Sequence, residues 1–186
     1  MTSKELYMLA EGPDDTRFID SVLQPILEHK YGLVKTIEYA EMPRKTVRNF
    51  LKSFVEMGAD YIVTGDLDQM ACFPLARQRI QRDLGCDPVD NTINVPNDVV
   101  AVVVTEIEGW YLAGLDEQSG NALGMKSVPE TTDLITKEQF NDLIPKRLRR
   151  PRNDFMIEIL KRFSMDIATQ ERKNKSLIHF VEKYGS

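Results

Sequence analysis

Tyr61-Ile-Val-Thr-Gly-Asp-Leu-Asp68 is the stretch from which the rest of the chain is best read. Apolar and β-branched residues run up to Gly65, and two carboxylates follow with one residue between them. With the strand continuing to Asp66, a period of two places Asp66 and Asp68 on one side of the chain, just past its carboxyl end. Ligands of open α/β sheets bind at that edge. Two carboxylates this close repel each other unless a cation lies between them.

Working outward, strands and helices alternate. Upstream, Glu5 to Ala10 reads as a buried strand stopped by Glu11-Gly12-Pro13. Phe18, Ile19, Val22, Leu23, Ile26 and Leu27 then recur at helical spacing across Asp14 to Lys30, with Asp14 or Asp15 as cap and Pro25 as a kink. Leu33 to Ala40 is a second strand. Pro43 to Met57 carries Val47, Phe50, Leu51, Phe54 and Val55 on one face, with Gly58 placed to end that helix. Downstream, Phe73 to Leu84 is a helix, and Cys86 to Asp98 is mostly loop. Val99 to Thr105 has the continuous β-branched run of a central strand buried on both faces, and a short helix starts near Gly109. Such alternation predicts a mostly parallel central sheet flanked by helices.

Beyond Asp116 the texture changes. Residues 117 to 132, rich in Gly, Ser, Asn and Thr, read as a long loop. Thr136-Lys-Glu-Gln139 is a capping box. Further helices are expected over Asn153 to Phe163 and Ala168 to Lys183. The expected organisation is an α/β domain over residues 1–116, with residues 117–186 forming a helical, basic C-terminal extension packed on it.

Three strand ends carry acids in this reading: Glu11 with Asp15, Asp66 with Asp68, and Glu106 with Glu108. Acids after strands often cap helices or face water, but their joint placement points to one site. Oxygen ligands without histidine or thiolate suit Mg²⁺ or Mn²⁺ rather than zinc. Both histidines, His29 and His179, fall in expected helices, which argues against histidine-based chemistry. No Gly-x-x-x-x-Gly-Lys loop is present, which argues against a P-loop ATPase.

The composition is that of an ordinary globular protein: 186 residues, 42% hydrophobic and 28% charged. No apolar run reaches membrane-spanning length and the N-terminus lacks a signal-peptide pattern, so a cytoplasmic setting without a membrane partner is expected. Cys72 and Cys86 form neither a disulfide framework nor a zinc spacing. The net charge of −5 is unevenly spread: from Lys146 onward there are 11 basic and 5 acidic residues, against 13 and 24 before it. The densest run is Lys146-Arg147-Leu148-Arg149-Arg150-Pro151-Arg152, bracketed by Pro145 and Pro151. It suits a phosphate grip or a solvated counterweight to the acids, and the phosphate grip is the expectation for Lys146, Arg147, Arg149, Arg150 and Arg152. Arg172-Lys-Asn-Lys175 reads as a solvated helix face. Trp110 and Tyr111 read as core rather than base-stacking residues.

Glu11-Gly-Pro-Asp-Asp15 after one strand and Gly65-Asp-Leu-Asp68 after another resemble the TOPRIM domain shared by topoisomerases, bacterial primases, small RNA-maturation nucleases and OLD-type nucleases. Glu106-Ile-Glu-Gly-Trp-Tyr-Leu is similar to an element of small stand-alone TOPRIM-like proteins related to the OLD nucleases. The resemblance covers residues 5 to 116 and implies a Rossmann-like fold with divalent-metal phosphodiester chemistry. It assigns Glu11, Asp66, Asp68 and Glu106 to catalysis, and Glu11, Asp15, Asp66, Asp68, Glu106 and Glu108 to one or two Mg²⁺ (or Mn²⁺) ions. OLD-type nucleases also use a lysine. Here Lys126, Lys146, Lys173 and Lys175 all remain open. The ATPase domain that accompanies those enzymes is missing, so an ATPase or other protein partner is expected. The expected function is a nuclease acting on DNA, or on RNA. The alternative is a non-catalytic TOPRIM-like module that binds nucleic acid or regulates a partner, in phage defence. A topoisomerase or primase would need further domains.

Overall fold

The computed structural model describes residues 4–68, 70–86, 95–146 and 151–185. By its internal contacts the chain divides into two compact units, Met1–Val103 with Tyr184–Ser186, and Val104–Lys183. The boundary expected at residue 116 lies inside the second unit.

The first unit is an α/β layer structure. Its strands are β1 (Glu5–Ala10), β2 (Leu33–Glu38), β3 (Asp60–Asp66) and β4 (Val100–Val103). Among the described residues they form one four-stranded sheet in the order β2-β1-β3-β4, with every pairing parallel. The sheet is therefore wholly parallel, and its strands end on a common edge. β3 does continue to Asp66, which stands in register with Val103 at the end of β4.

The core explains why these segments pair. Leu9, Tyr61, Val63, Val100 and Val102 face Val47, Leu51 and Phe54 of α3 (Arg44–Met57) and Ala76 and Ile80 of α4 (Phe73–Asp83) in one cluster. The alternate residues of β1, namely Leu6, Met8 and Ala10, are fully buried as well. A strand covered on both faces reads as a continuous apolar run, as β1 does. Gly58 ends α3 in the left-handed conformation, as its position predicts.

Four local expectations change. The central strand expected over Val99 to Thr105 is β4, four residues long and, among the described residues, at the edge of the sheet, with a 3-10 turn over Asn97–Val99 leading into it. The helix expected over residues 14–30 is α1 (Pro13–Phe18), a π turn (Ile19–Leu23) and α2 (Gln24–Leu27). Pro25 lacks the donor for a regular i−4 bond, and the widened turn lies directly before it. Gly12, rather than Asp14 or Asp15, occupies the N-cap of α1, and both acids sit in the first turn. His29 falls in the turn beyond α2, not within a helix.

The second unit is helical: α5 (Glu108–Ala113), α6 (Glu117–Leu123), α7 (Lys137–Leu143), α8 (Arg152–Leu160), α9 (Met165–Glu171) and α10 (Lys175–Tyr184), the last up to Lys183. The expected loop over residues 117–132 thus begins with a helix. Asp116 caps it by accepting from the Ser119 N–H at 2.7 Å, and Gly124 closes it at φ 81°. At seven residues, α6 is too short to show a hydrophobic period. The helix expected over 168–183 is two helices, broken where Arg172 turns left-handed at φ 50°. The Thr136 capping box is present with both of its hydrogen bonds.

Trp110 and Tyr111 are core residues, 1% and 0% exposed. The indole of Trp110 donates to Ser176 Oγ at 2.7 Å, Ser176 donates to Asn174 Oδ1 at 2.8 Å, and Asn174 donates to Thr132 Oγ1 at 3.2 Å. This chain of buried polar contacts fixes the start of α10. No helix among the described residues is long and apolar enough to cross a membrane.

Candidate functional site

β1 and β3 are adjacent and parallel, so the residues just past their ends meet. The Asp66 N–H donates to Glu11 Oε2 at 3.3 Å, across 55 positions of sequence. The strand ends are tied from below by three more bonds. Thr64 Oγ1 donates to the Leu9 carbonyl at 3.1 Å, the Tyr39 hydroxyl donates to the Thr64 carbonyl at 3.1 Å, and the Tyr39 N–H donates to the Ala10 carbonyl at 2.9 Å. Asp15 is buried in the first turn of α1, at 6% exposure.

The charges of this cluster reach Tyr39. Burial pushes its hydroxyl well above the usual tyrosine range, and the negative Glu11 and Asp15 push it further, with Arg79 opposing. The phenol therefore stays protonated under two carboxylates, as a donor to the backbone. Gly65 permits this packing: a Cβ there would fall 2.8 Å from Ile80 Cδ1 and 3.1 Å from the Tyr39 hydroxyl.

Sequence reasoning missed Arg79, from α4. Its Nη1 lies 2.6 Å from Asp68 Oδ2, and its Nη2 donates to the Asp66 carbonyl at 2.7 Å and stands 3.9 Å from Glu11 Oε2. Three oxygen groups from the two strand ends thus gather round one positive charge. No local signal separates Arg79 from Arg77 and Arg82 of the same helix. Asp68 itself takes a left-handed backbone at φ 48°, a conformation aspartate tolerates better than most residues.

The second unit holds Glu106 and Glu108. Glu106 accepts from the Lys137 N–H at the start of α7. Burial raises the Glu106 carboxyl above its ordinary range, the Lys137 N–H opposes this, and Glu108 and Glu138 add to the rise. Thr105, just before it, is left-handed at φ 65°, with its hydroxyl donating to the Asp133 carbonyl at 2.9 Å. Glu108 is 3% exposed and paired with Arg152, which also lies over the Phe140 ring at 5.7 Å. Arg152 therefore has a carboxylate partner inside its own unit.

Of the other basic residues, Lys146 is exposed, and Arg147, Arg149 and Arg150 lie outside the described residues. Lys173 is turned inward, donating to the Leu115 carbonyl at 2.5 Å and pairing with Glu171 at 2.7 Å. Arg172-Lys-Asn-Lys175 is therefore a junction between two helices rather than a solvated helix face. Lys126 and Lys175 are exposed.

No family model matches the sequence, and no curated protein does. The fold has a solved counterpart. The C-terminal region of the Burkholderia pseudomallei OLD protein superposes with a TM-score of 0.52 at 16% identity, over 100% of both chains. At that identity the likeness is one of fold.

The site's donor set can be weighed against a divalent ion. Among the described residues, no three acidic, histidine or cysteine side chains stand close enough together to chelate one as placed. The oxygens of Glu11, Asp66 and Asp68 nevertheless already surround a cation, the Arg79 guanidinium. Carboxylate and carbonyl oxygens without nitrogen or sulfur donors suit a hard ion such as Mg²⁺ or Mn²⁺.

Proposed function

We propose that this chain is a divalent-metal-dependent nuclease of the TOPRIM type, cleaving phosphodiester bonds of DNA in preference to RNA. The observation that carries the proposal is the gathering of Glu11, Asp66 and Asp68 oxygens around one positive charge, at the carboxyl edge of two adjacent parallel strands. The four-stranded parallel fold, shared with an OLD-protein region, supports it.

In this reading Glu11, Asp15, Asp66 and Asp68 hold Mg²⁺ or Mn²⁺, and Glu11, Asp66 and Asp68 stand next to the reacting phosphate. When bound, the ion supplies an activated water and neutralises the charge that develops on phosphorus oxygens. The chain's own work is positional. The Asp66 N–H orients the Glu11 carboxylate, the Tyr39 hydroxyl fixes the backbone at Thr64, and Asp68, left-handed in its backbone, presents its carboxylate to the same guanidinium that holds the Asp66 carbonyl. The basic run from Lys146 is proposed to grip the nucleic-acid backbone without regard to sequence.

One observation favours a second reading, a nucleic-acid-binding or partner-regulating module without catalysis: Arg79 already neutralises acids that an ion would need. Incubating the purified chain with plasmid and single-stranded DNA, in Mg²⁺, Mn²⁺ or EDTA, separates the two. A nuclease cuts with metal only, and its Asp66→Ala variant does not cut. Metal-dependent cutting that survives Asp66→Ala removes the site. No cutting on any substrate selects the binding module.

A further inference from the structure

The carboxylates at the ends of β1 and β3 carry a counter-ion of their own. Arg79 is held by its two terminal nitrogens, against Asp68, the Asp66 carbonyl and Glu11. Its Nε is buried but makes no hydrogen bond, so the grip is on one end of the guanidinium. The side chains of Arg79 and Asp68 are 20% and 39% exposed, which leaves the pair a route to solvent. A divalent ion bound by the same carboxylates would stand within a few ångströms of the guanidinium, where like charges repel strongly in a partly desolvated setting.

Resting on the reading of these acids as a cation site, we infer that Arg79 is a resident counter-cation that competes with the metal. With no metal bound, Arg79 offsets the repulsion between Glu11 and Asp68 and, through the Asp66 carbonyl, keeps the strand ends ordered. For the metal to enter, Arg79 releases Asp68, and metal affinity is weaker than the acids alone would give. A merely structural ion pair predicts the opposite sign, because its loss would disorder the strand ends and weaken metal uptake.

Calorimetric titration of Mn²⁺ into the wild-type chain and into Arg79→Gln, Arg79→Lys and Asp66→Ala tests this, with melting temperatures taken in EDTA. Arg79→Gln is expected to bind Mn²⁺ about tenfold more tightly and to melt lower without metal, since it removes one competing charge. Arg79→Lys, which keeps the charge but cannot hold Asp68 and the Asp66 carbonyl together, is expected to gain about threefold. It also serves if Arg79→Gln loses its fold. Unchanged or weaker Mn²⁺ binding in the folded Arg79 variants, with wild-type binding still abolished by Asp66→Ala, overturns the competition and leaves the metal site standing. No Mn²⁺ binding by wild type or by any Arg79 variant overturns both.

Discussion

Arg79 and Asp68 stand 2.6 Å apart, and Asp68 reaches that position from a left-handed backbone at φ 48°. Such a conformation costs roughly 1–3 kcal/mol for most residues, and asparagine is among the few that share aspartate's tolerance of it. Asp68→Asn therefore separates charge from geometry. It is expected to change stability by no more than about 1 kcal/mol, because the ion pair it breaks is partly exposed. Mn²⁺ affinity is expected to fall by about tenfold or more. Denaturant melts and calorimetry read the two effects, and an unchanged affinity would take Asp68 out of the site.

The pair between Glu108 and Arg152 is of a different kind, because the Glu108 side chain is only 4% exposed. Removing one partner leaves a buried charge uncompensated, so Arg152→Met should destabilise the protein by about 3 kcal/mol. Adding Glu108→Gln should recover part of that loss. Urea unfolding of the two single variants and the double variant measures the coupling. Additive losses would show that the pair is not a unit.

Two glycines should tolerate a methyl group unequally. At Gly65 the added Cβ meets the flexible end of Ile80 at 2.8 Å, whereas at Gly109 it meets the Thr132 backbone oxygen at 2.4 Å. A side chain can shift more readily than backbone. Gly65→Ala is expected to cost about 1–2 kcal/mol and Gly109→Ala about 3 kcal/mol or more. Thermal melts of both variants give the order, and the reverse order would contradict this packing.

The two cysteines should differ in reactivity. Cys72 is exposed and Cys86 is buried, and burial raises the Cys86 thiol above its ordinary range, with Arg48 partly opposing. Brief iodoacetamide treatment of the native chain should label Cys72 alone, and unfolding in urea should expose both. The raised thiol also sets a sign for stability. Its contribution is fully present below the unfolded pKa of about 8.5, and is lost as pH rises through the higher folded value. Cys86→Ala should therefore lose less stability than wild type on going to alkaline pH. Mass spectrometry and pH-dependent melts check the two claims, and early labelling of Cys86 would contradict its burial.

How far the chain could be read depended on the range of each signal. The β1 and β3 segments, the end of α3 at Gly58 and the Thr136 capping box all follow from patterns a few residues long, and all are present. The face expected for α3 holds only for Val47, Leu51 and Phe54, because Phe50 and Val55 are exposed at the rim of the helix. The α6 helix was not legible, because seven residues with Gly120 inside give no period, and its cap lies in the Asp116 side chain. The break before α10 was hidden for a similar reason. A left-handed arginine at Arg172 has no sequence signature, and Lys173 resembles a surface lysine until the Leu115 carbonyl and Glu171 are seen around it.

The sequence by itself determined the alternation of strands and helices, the parallel sheet that follows from it, and the delivery of Glu11 and of Asp66 with Asp68 to the ends of two strands. Periodicity, turn chemistry and strand alternation are properties of neighbouring residues, so local sequence suffices for them. Only the tertiary structure decided which charges meet. Arg79 was chosen over Arg77 and Arg82 as the partner of Asp68, Glu108 was buried against Arg152, and Tyr39 was set beneath the acids as a protonated donor. Each of these pairings joins residues on different segments of the fold, beyond the reach of any local pattern. Their energies depend on the distance and burial that packing creates, and neither quantity exists until the chain has folded.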